Sequence, residues 1–245
     1  MMKAALLFLI LGICGSGLAN ASELFEKDVF KTTAGNLEIT FIGHGSMMMK
    51  FGGKVVHVDP YSKLADYATL PKADLVIITH DHQDHLDMAA LQRVTTAKTV
   101  KVITEKCAEK VAGGIVMKNG DIRKVEGITV EAVPAYNLVH KRDNGQPYHP
   151  KGDGNGYILT FADTRLYIAG DSENVPEMGL LKQIDIAFLP MNLPFTMTPE
   201  MVVNAARSFR PKVLYPYHYG ETDTTRLVTL LKEDRDIEVR IRRMQ

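Results

Sequence analysis

The sequence is poor in cysteine, with only Cys14 and Cys107 among 245 residues. Cys14 lies in an apolar amino-terminal stretch that we expect to be removed, which would leave Cys107 alone. A single cysteine cannot form an intrachain disulfide. The fold must therefore be held by its apolar core and by any metal that it binds.

An excess of either charge is also absent, because 29 Lys and Arg residues balance 29 Asp and Glu residues. No basic stretch is interleaved with aromatic residues, as a dedicated nucleic-acid surface would require. Internal repeats and low-complexity tracts are lacking as well. We therefore expect a small-molecule substrate and no nucleic acid, and nothing in the sequence indicates an oligomeric state.

No apolar run in the sequence is long enough to cross a membrane. The strongest one, residues 4–14, is well short of the ~20 residues that a spanning helix needs. It follows Lys3 and precedes the small-residue pattern ANA at 19–21, as in a cleaved secretory signal peptide. We predict that residues 1–21 are a signal peptide, that the mature chain starts near Ser22, and that the protein is exported, either periplasmic or secreted.

A lipoprotein signal ending before Cys14 is the alternative. The residue before such a cysteine is normally small, and Ile13 is not. Residues 22–245 then form one predicted domain, a size that single α/β domains commonly reach.

Short β-rich runs alternate with helical patterns along the chain, and several runs are continuously apolar, as strands buried on both faces are. The predicted strands are 37–42, 54–59, 74–79, 99–104, 128–133, 156–162, 165–170, 184–189, 212–217 and 237–242. The predicted helices are 87–94, 105–111, 198–209 and 224–233. Thr198 can cap the third helix and Pro199 fits its first turn. The segment 136–156 has neither period and is predicted to be a loop, and loops of this length are usually functional.

The stretch LVIITHDHQDHLD, residues 75–87, places His80, His82, Asp84 and His85 directly behind an apolar strand. Open α/β sheets build their sites at the carboxyl ends of their strands. Imidazole and carboxylate groups at this density indicate metal binding rather than packing. This mixture of nitrogen and carboxylate ligands suits Zn²⁺, and Mn²⁺ or Fe is the alternative.

The pattern H-x-H-x-D-H, preceded by a threonine, resembles the signature of the metallo-β-lactamase superfamily. Further motifs follow in the order that this superfamily has, and the resemblance runs from about residue 37 to 220. These motifs are VDP at 58–60, AGDS at 169–172 and YPYHYG at 215–220. FIGHGS at 41–46 and LPMNLPFTMTPE at 189–200 add a likeness to small single-domain metal-dependent hydrolases related to ascorbate-phosphate lactonases.

The resemblance implies a four-layer αββα sandwich with two divalent metal ions at the edge between the sheets. The ligands that it implies are His80, His82 and a third histidine for the first ion, Asp84, His85 and His218 for the second, and Asp171 for both.

The third histidine is the ligand that the resemblance does not place directly. Many relatives carry it in a turn where this chain has PAYN, so that Asn137 stands in its position. His149 and His140 lie downstream. We favour His149, because it directly precedes a glycine-rich turn into a strand and belongs to an HPKG motif that similar PAYN sequences share. His140 is the alternative.

Asp59, in the VDP motif, has two interpretations. It can hydrogen-bond a metal-bound histidine and orient its ring, or it can only cap the turn before Pro60. The resemblance favours the first. His44 borders the site or is structural, and His57 is predicted to be structural. The methionine run 47–49 is predicted to be core filler, since alternating strand faces would separate neighbours and prevent a copper site.

The implied activity is hydrolysis of an ester, lactone, amide or phosphoester bond by a hydroxide that bridges two metal ions. Asp84 would orient the hydroxide as a catalytic residue. Tyr136 or His140 would serve as an acid or contact the substrate. The substrate and the bond remain open, because one fold supports many chemistries.

Two other functions remain as alternatives. A di-iron oxidoreductase of the same fold would carry a carboxylate in place of the third histidine and usually a flavin domain as partner. A metal-binding protein without turnover would keep the ligands alone. True β-lactamase activity is disfavoured, because the histidine after Asp84 and the single-domain likeness point to other hydrolases.

Overall fold

The computed structural model of the protein describes residues 25–245, so the predicted signal peptide and the predicted start near Ser22 lie outside it. These residues form two seven-stranded sheets and a few short helices. The first sheet contains, in spatial order, β1 (Glu26–Thr32), β2 (Gly35–Gly43), β3 (Ser46–Phe51), β4 (Lys54–Val58), β5 (Leu75–Ile77), β6 (Val100–Ile103) and β7 (Ile115–Val116). The second contains β14 (Glu238–Val239), β13 (Val213–Tyr217), β12 (Ile186–Pro190), β11 (Thr164–Ile168), β10 (Gly154–Phe161), β9 (Ile128–Ala135) and β8 (Ile122–Val125). The helices are α1 (Met88–Val94), α2 (Pro199–Phe209) and α3 (Thr224–Leu230), with 3₁₀ turns at Cys107–Glu109 and Pro176–Leu180.

The two sheets follow the same plan. Strands β1 to β4 pair antiparallel, and β4 to β7 pair parallel. In the second sheet β8 to β11 pair antiparallel, and β11 to β14 pair parallel. Parallel neighbours end at the same sheet edge, where the turns that follow them can build a site.

Three apolar clusters divide the molecule into four layers. The central cluster joins the sheets and includes Ile77 from the first and Tyr215 from the second. An outer cluster packs Leu91 of α1 on the first sheet. The other packs Val202 and Ala206 of α2 on the second sheet. The predicted four-layer αββα sandwich is confirmed.

The methionine run shows why this layering follows from strand geometry. Met47 and Met49 belong to the central cluster, whereas Met48 belongs to the outer cluster of the first sheet. Side chains of successive strand residues point to opposite faces. All three are fully buried, so the run lies in the core of the protein, as predicted.

The helices begin where the sequence predicts. Thr198 caps α2, since its hydroxyl accepts a hydrogen bond from the Met201 amide at 3.1 Å, and Pro199 is the first helical residue. Asp87 caps α1 in the same way. Within residues 25–245 no helix has the length and apolar character required to span a bilayer.

Some predicted elements differ from the observed ones. The helix predicted over 105–111 is only the 3₁₀ turn Cys107–Glu109, because the chain must turn at Gly113 (φ +68°) to bring β7 beside β6. The strand predicted over 237–242 pairs only through β14. Strand β1 was not predicted, because its sequence EKDVFKT is mostly polar and only half-buried.

Candidate metal site

The turn after β5 concentrates the chemically active side chains of the first sheet. The amides of His85 and Leu86 both donate to the carbonyl of His82, at 3.0 and 2.7 Å, which folds the segment tightly. His80 and His85 are buried, while His82 and Asp84 are half-buried. A single turn therefore presents four ligating groups at one sheet edge.

The second sheet supplies the remaining groups from three separate places. Asp171 follows β11, His218 follows β13, and His149 precedes β10. Gly170, before Asp171, has φ +65°, and a Cβ there would lie 2.9 Å from the Asn155 carbonyl oxygen. A glycine is required at this turn for both reasons.

Asp171 is the centre of the arrangement. Its Oδ2 lies 3.3 Å from His149 Nε2, 3.5 Å from His218 Nε2 and 3.9 Å from His80 Nε2. Its Oδ1 lies 3.4 Å from His85 Nε2. One carboxylate thus touches histidines from both sheets.

The ligand atoms fall into groups small enough to surround single ions, with all atoms of a group within 4.8 Å of one another. These groups are His80, His82 and His149; His44, Asp84, His85 and His218; and His80, His85 and Asp171. The third group links the first two, since it shares His80 with one and His85 with the other.

Several of these atoms are buried without any hydrogen-bond partner in residues 25–245. They are His80 Nε2, His85 Nε2, His218 Nε2 and Asp171 Oδ1. Leaving a buried polar atom unpaired costs about 1–3 kcal/mol each, and four such atoms converge on one place. Imidazole nitrogen and carboxylate oxygen are the ligands that zinc-type ions prefer, so the residues present fit a metal centre.

The other nitrogen of three histidines is held by an acceptor. His85 Nδ1 donates to Asp59 Oδ2 at 2.8 Å, and His149 Nδ1 donates to Asn137 Oδ1 at 2.7 Å. The Thr79 hydroxyl gives its one hydrogen to Asp59 at 2.6 Å, so that it accepts from His80 Nδ1 at 3.0 Å. With Nδ1 protonated, each neutral ring directs the Nε2 lone pair into the cluster.

Asp59 lies where the first interpretation of the sequence puts it. It is fully buried with φ +41°. Besides the contact with His85, its Oδ1 accepts from the Thr79 amide at 2.8 Å. The turn before Pro60 therefore aims a carboxylate at the cluster.

The loop of residues 136–153 brings His149, and not His140, to the cluster. His140 Nδ1 contacts Glu173 Oε1 at 2.6 Å instead. Glu173 is buried and also accepts the amides of Leu138, Val139 and His140. It therefore organises this loop without touching the ligand groups.

Asn137 connects Glu173 to His149 and uses all of its hydrogen-bonding capacity. Its Oδ1 accepts from the backbone amide and from Nδ1 of His149. Its Nδ2 donates to Glu173 Oε1 at 3.2 Å and to the Phe195 carbonyl at 2.9 Å. The amide can satisfy all four bonds in one orientation only, and that orientation sets the tautomer of His149.

The Tyr136 side chain does not line the cavity beside the cluster, contrary to the expectation that it acts as an acid or contacts substrate. Its ring packs in the outer core of the second sheet, and its hydroxyl donates to Glu177 Oε2 at 3.0 Å. His140 likewise does not line the cavity above the cluster. Its loop neighbours Arg142 and Tyr148 line that cavity instead.

Burial and charge shift the pKa values of the cluster. Burial favours neutral His85, yet the carboxylates of Asp171 and Asp59 raise its pKa to about 9. Burial and the charge of His85 hold the pKa of His80 well below its usual value. Burial favours the protonated form of Asp171, but the histidines around it, led by His218 and His85, hold its pKa well below the usual range. The carboxylates of Asp171 and Asp59, which attract a proton to His85, would also attract a metal cation.

His44 borders the cluster. Its Nε2 lies 3.0 Å from Asp84 Oδ2, and its ring centroid lies 3.6 Å from that of His218. His44 has φ +49°, and its carbonyl accepts from the His218 amide at 3.1 Å. The FIGHGS turn thus supports the end of β13 across the two sheets.

A cavity with two lobes opens above the cluster, of about 350 and 250 Å³. Both lobes are lined by His82, His149, Asp171, Arg142 and Tyr148. Arg142 and Tyr148 were not singled out from the sequence, although the aperiodic loop that carries them was predicted to be functional. Glu173 and Asn137 were also not assigned a role, because nothing in sequence spacing joins them to His149.

Comparison with known proteins agrees with this architecture. The family model described as "Beta-lactamase superfamily domain" matches residues 38–218. A relative in Pelotomaculum thermopropionicum, named as a metal-dependent hydrolase, is 30% identical over 194 residues, which is 75% of this chain and 85% of the relative.

Solved structures show the same similarity. A protein of Parabacteroides distasonis, described as a candidate metal-dependent hydrolase, is 51% identical with a TM-score of 0.86, covering 90% of this chain and 100% of the other. A metallo hydrolase from Ignicoccus hospitalis has the same fold, with a TM-score of 0.71 at 24% identity over 85% of this chain and 96% of the other. The family model, the relatives and the fold lead to one conclusion: the chain belongs to the metallo-β-lactamase superfamily.

Proposed function

We propose that the protein is a metal-dependent hydrolase that uses two divalent cations, zinc being best suited, and a bridging hydroxide to cleave an ester, lactone, amide or phosphoester bond in a small substrate. The observation that carries this proposal is the convergence of buried Nε2 and carboxylate atoms without hydrogen-bond partners on Asp171. The names of the relatives, metal-dependent hydrolases, support the reaction class.

The two proposed ions divide the ligands by proximity. The first would be held by His80, His82 and His149, and the second by Asp84, His85 and His218, beside which His44 also lies, with Asp171 shared. A di-iron oxidoreductase would need a carboxylate in place of the third histidine, whereas the group beside His80 and His82 is an imidazole. The ligand set therefore favours hydrolysis.

Two cations held in this way would lower the pKa of a shared water, so that hydroxide is available near neutral pH. The chain itself supplies orientation. Asp84 is half-exposed. Burial favours its protonated form, but the imidazole of His218, 3.7 Å away, and the hydrogen bond from His44 hold its pKa below the usual range. An ionised Asp84 would accept a hydrogen bond from the attacking water and align it with the substrate. His44, 3.0 Å away, would hold that carboxylate in place.

Metal content and hydrolysis test the proposal together. The purified protein should contain about two divalent ions, and it should hydrolyse some member of a panel of esters, lactones, amides including β-lactams, and phosphodiesters. His82→Ala should lose metal and hydrolysis together, whereas Gln83→Ala, which changes an exposed neighbour in the same turn, should keep both. Undiminished hydrolysis by metal-depleted His82→Ala protein would refute the proposal.

Export is a separate proposal, supported by the apolar stretch 4–14 and the ANA pattern at 19–21. Protein recovered from cells should start near Ser22 and lie outside the inner membrane. An intact mass that includes Met1, or a lipid attached to Cys14, would contradict it.

A further inference from the structure

We propose that Arg142 makes the cavity above the cluster a site for small anionic substrates, with a carboxylate or phosphoryl group bound by its guanidinium. This proposal rests on the proposed hydrolytic function and names the substrate class of the same site. Arg142 lines both lobes of the cavity, together with His82, His149 and Asp171. Of the two Lys and Arg side chains in the lining, Arg142 and Lys106, only Arg142 lines both lobes.

The loop holds Arg142 in a defined place although its tip is exposed. The segment 141–147 is a small hairpin, with a bridge between Lys141 and Pro147. The Arg142 amide donates to the Gln146 carbonyl at 2.8 Å, and the Gly145 amide donates back to the Arg142 carbonyl at 2.8 Å. The backbone of Arg142 is therefore anchored at both its donor and its acceptor.

Its side chain is anchored as well. The guanidinium carbon lies 5.1 Å from the centroid of the Tyr148 ring, and Nη2 donates to the Tyr148 carbonyl at 3.3 Å. Tyr148 in turn packs edge-on against Phe195, with ring centroids 5.0 Å apart. The remaining guanidinium N–H groups have no acceptor within residues 25–245, and they form the planar fork that suits carboxylate and phosphate.

Arg142 also lacks a counterion within residues 25–245, which distinguishes it from the other cation lining the cavity. Lys106 is paired with Asp153 at 2.6 Å. Asp81, another acidic side chain of the lining, lies 3.6 Å from Lys110. The acidic groups of the wall are thus compensated, while the charge of Arg142 is not.

The charge of the loaded cluster leaves that of Arg142 uncompensated. The carboxylates Asp59, Asp84 and Asp171, together with the proposed hydroxide, balance the charge of two divalent cations. With Arg142 added, the cavity has a positive balance that would attract an anion and repel a cation. One lobe, of about 350 Å³, is just above the lower limit of the ~300–1,000 Å³ common for ligand pockets, and the other, of about 250 Å³, is below it. Each lobe therefore suits a small molecule.

The affinity for a matched pair of amides, rather than their turnover, tests this inference. Succinanilic acid carries a carboxylate, and its methyl ester is neutral but otherwise alike. Calorimetry with the metal-loaded protein should show ~10- to 100-fold tighter binding of the acid, the range expected for a charge-assisted pair. Arg142→Met should abolish the preference, and Arg142→Lys should restore part of it. Arg123→Met, at an exposed arginine of the edge strand β8, should leave it unchanged.

Each other result counts against the proposal. The proposal is overturned if the wild-type protein binds both probes equally or binds neither. It is also overturned if Arg142→Met still prefers the acid, because the carboxylate would then bind the metal alone. Failure of the hydrolytic function is seen separately. In that case the acid would still bind through Arg142, but no member of the hydrolysis panel would be cleaved.

Discussion

His85 and His149 both direct Nε2 towards Asp171, at 3.4 and 3.3 Å, but their other ring nitrogens meet different partners. For His85 the partner is a carboxylate, Asp59, and for His149 it is a neutral amide, Asn137. The nearest carboxylate behind His149 is Glu173, one residue further away. We call the part of the cluster around His85 and Asp59 the sheet side, and the part around His149 and Asn137 the loop side. On the sheet side a carboxylate charge is in direct contact with the ligand ring, and on the loop side it is not.

This difference has a physical consequence. A carboxylate on Nδ1 makes Nε2 more basic and attracts a cation more strongly than an amide does. The amide fixes the tautomer and direction of His149 but adds no net charge. We therefore expect the sheet side to supply more of the binding energy, and the loop side to supply geometry.

Removing a ligand from the loop side should have the largest effect. His149→Ala deletes one of three proposed nitrogen ligands, and should weaken metal binding by more than the ~10- to 100-fold typical of groups behind the ligands. His140→Ala should keep its metal, because its side chain contacts Glu173 and not the cluster. Metal content after identical dialysis of both variants checks this. The opposite pattern would make His140 the ligand, and full metal in both would mean that Asn137 or water completes the site.

A histidine of the same sheet without a carboxylate partner sharpens the comparison. His57 is buried, and burial lowers its pKa to about 4, although its Nε2 contacts the Pro71 carbonyl at 3.0 Å. Its unfolded value is near 6.5, so between pH 4 and 6.5 the unfolded state binds more protons. Stability should thus fall by about 3 kcal/mol as the pH drops through this window.

His57→Gln should remove this part of the pH dependence. The check is the free energy of urea unfolding of the metal-free protein between pH 4 and 6.5, with the variant showing a shallower slope than the wild type. Equal slopes would mean that His57 does not titrate in this range. His85, whose pKa is raised by Asp171 and Asp59, should show the opposite shift when followed by NMR.

Weakening the sheet side is expected to cost somewhat less. Asp59→Asn keeps the shape of the side chain but removes the negative charge beside His85. It also turns an N–H₂ group towards a hydrogen-bond donor, either His85 or Thr79. We expect ~100-fold weaker metal binding, the upper end for such positions. Asp74→Asn is the control, because Asp74 also accepts a backbone amide of this sheet, that of Val55, away from the cluster. If Asp59→Asn binds metal as tightly as the wild type, the carboxylate behind His85 adds no more to metal binding than an amide does, and the proposed difference between the two sides is wrong.

Weakening the loop side in the same way should cost least. Asn137→Ala frees the ring of His149 but removes no charge, so that ~10-fold weaker metal binding is expected, the lower end of the same range. The affinity of the variant can be measured by competition with a chelator beside that of Asp59→Asn. A larger loss in Asn137→Ala than in Asp59→Asn would reverse the order proposed for the two sides.

Much of the sheet side could be predicted from the sequence. His80, His82, Asp84 and His85 are close in space because they share one turn after an apolar strand, which local spacing reveals. Asp171 and His218 follow strands of the parallel part of the second sheet, so their motifs marked the correct edge. Their individual roles as ligands stay predictions.

The loop side could be predicted only in outline. Aperiodicity marked residues 136–156 as functional, but it did not distinguish Tyr136, whose side chain packs into the core, from Arg142 and Tyr148, which line the cavity. Loop side chains follow no repeating direction, so neighbours in sequence can point to opposite sides.

By itself the sequence determined which strands and helices must bury an apolar face, and that ligating groups cluster at one sheet edge. The four-layer arrangement was implied by the resemblance to the superfamily. Only the tertiary structure decided which histidine of the loop reaches that edge. The position of the loop depends on Glu173, which accepts hydrogen bonds from three backbone amides. It also depends on Asn137, whose side-chain oxygen accepts from His149 Nδ1 and orients that ring. The contacts of Glu173 join residues 33 to 36 positions apart, and no local pattern encodes a hydrogen bond at that sequence separation.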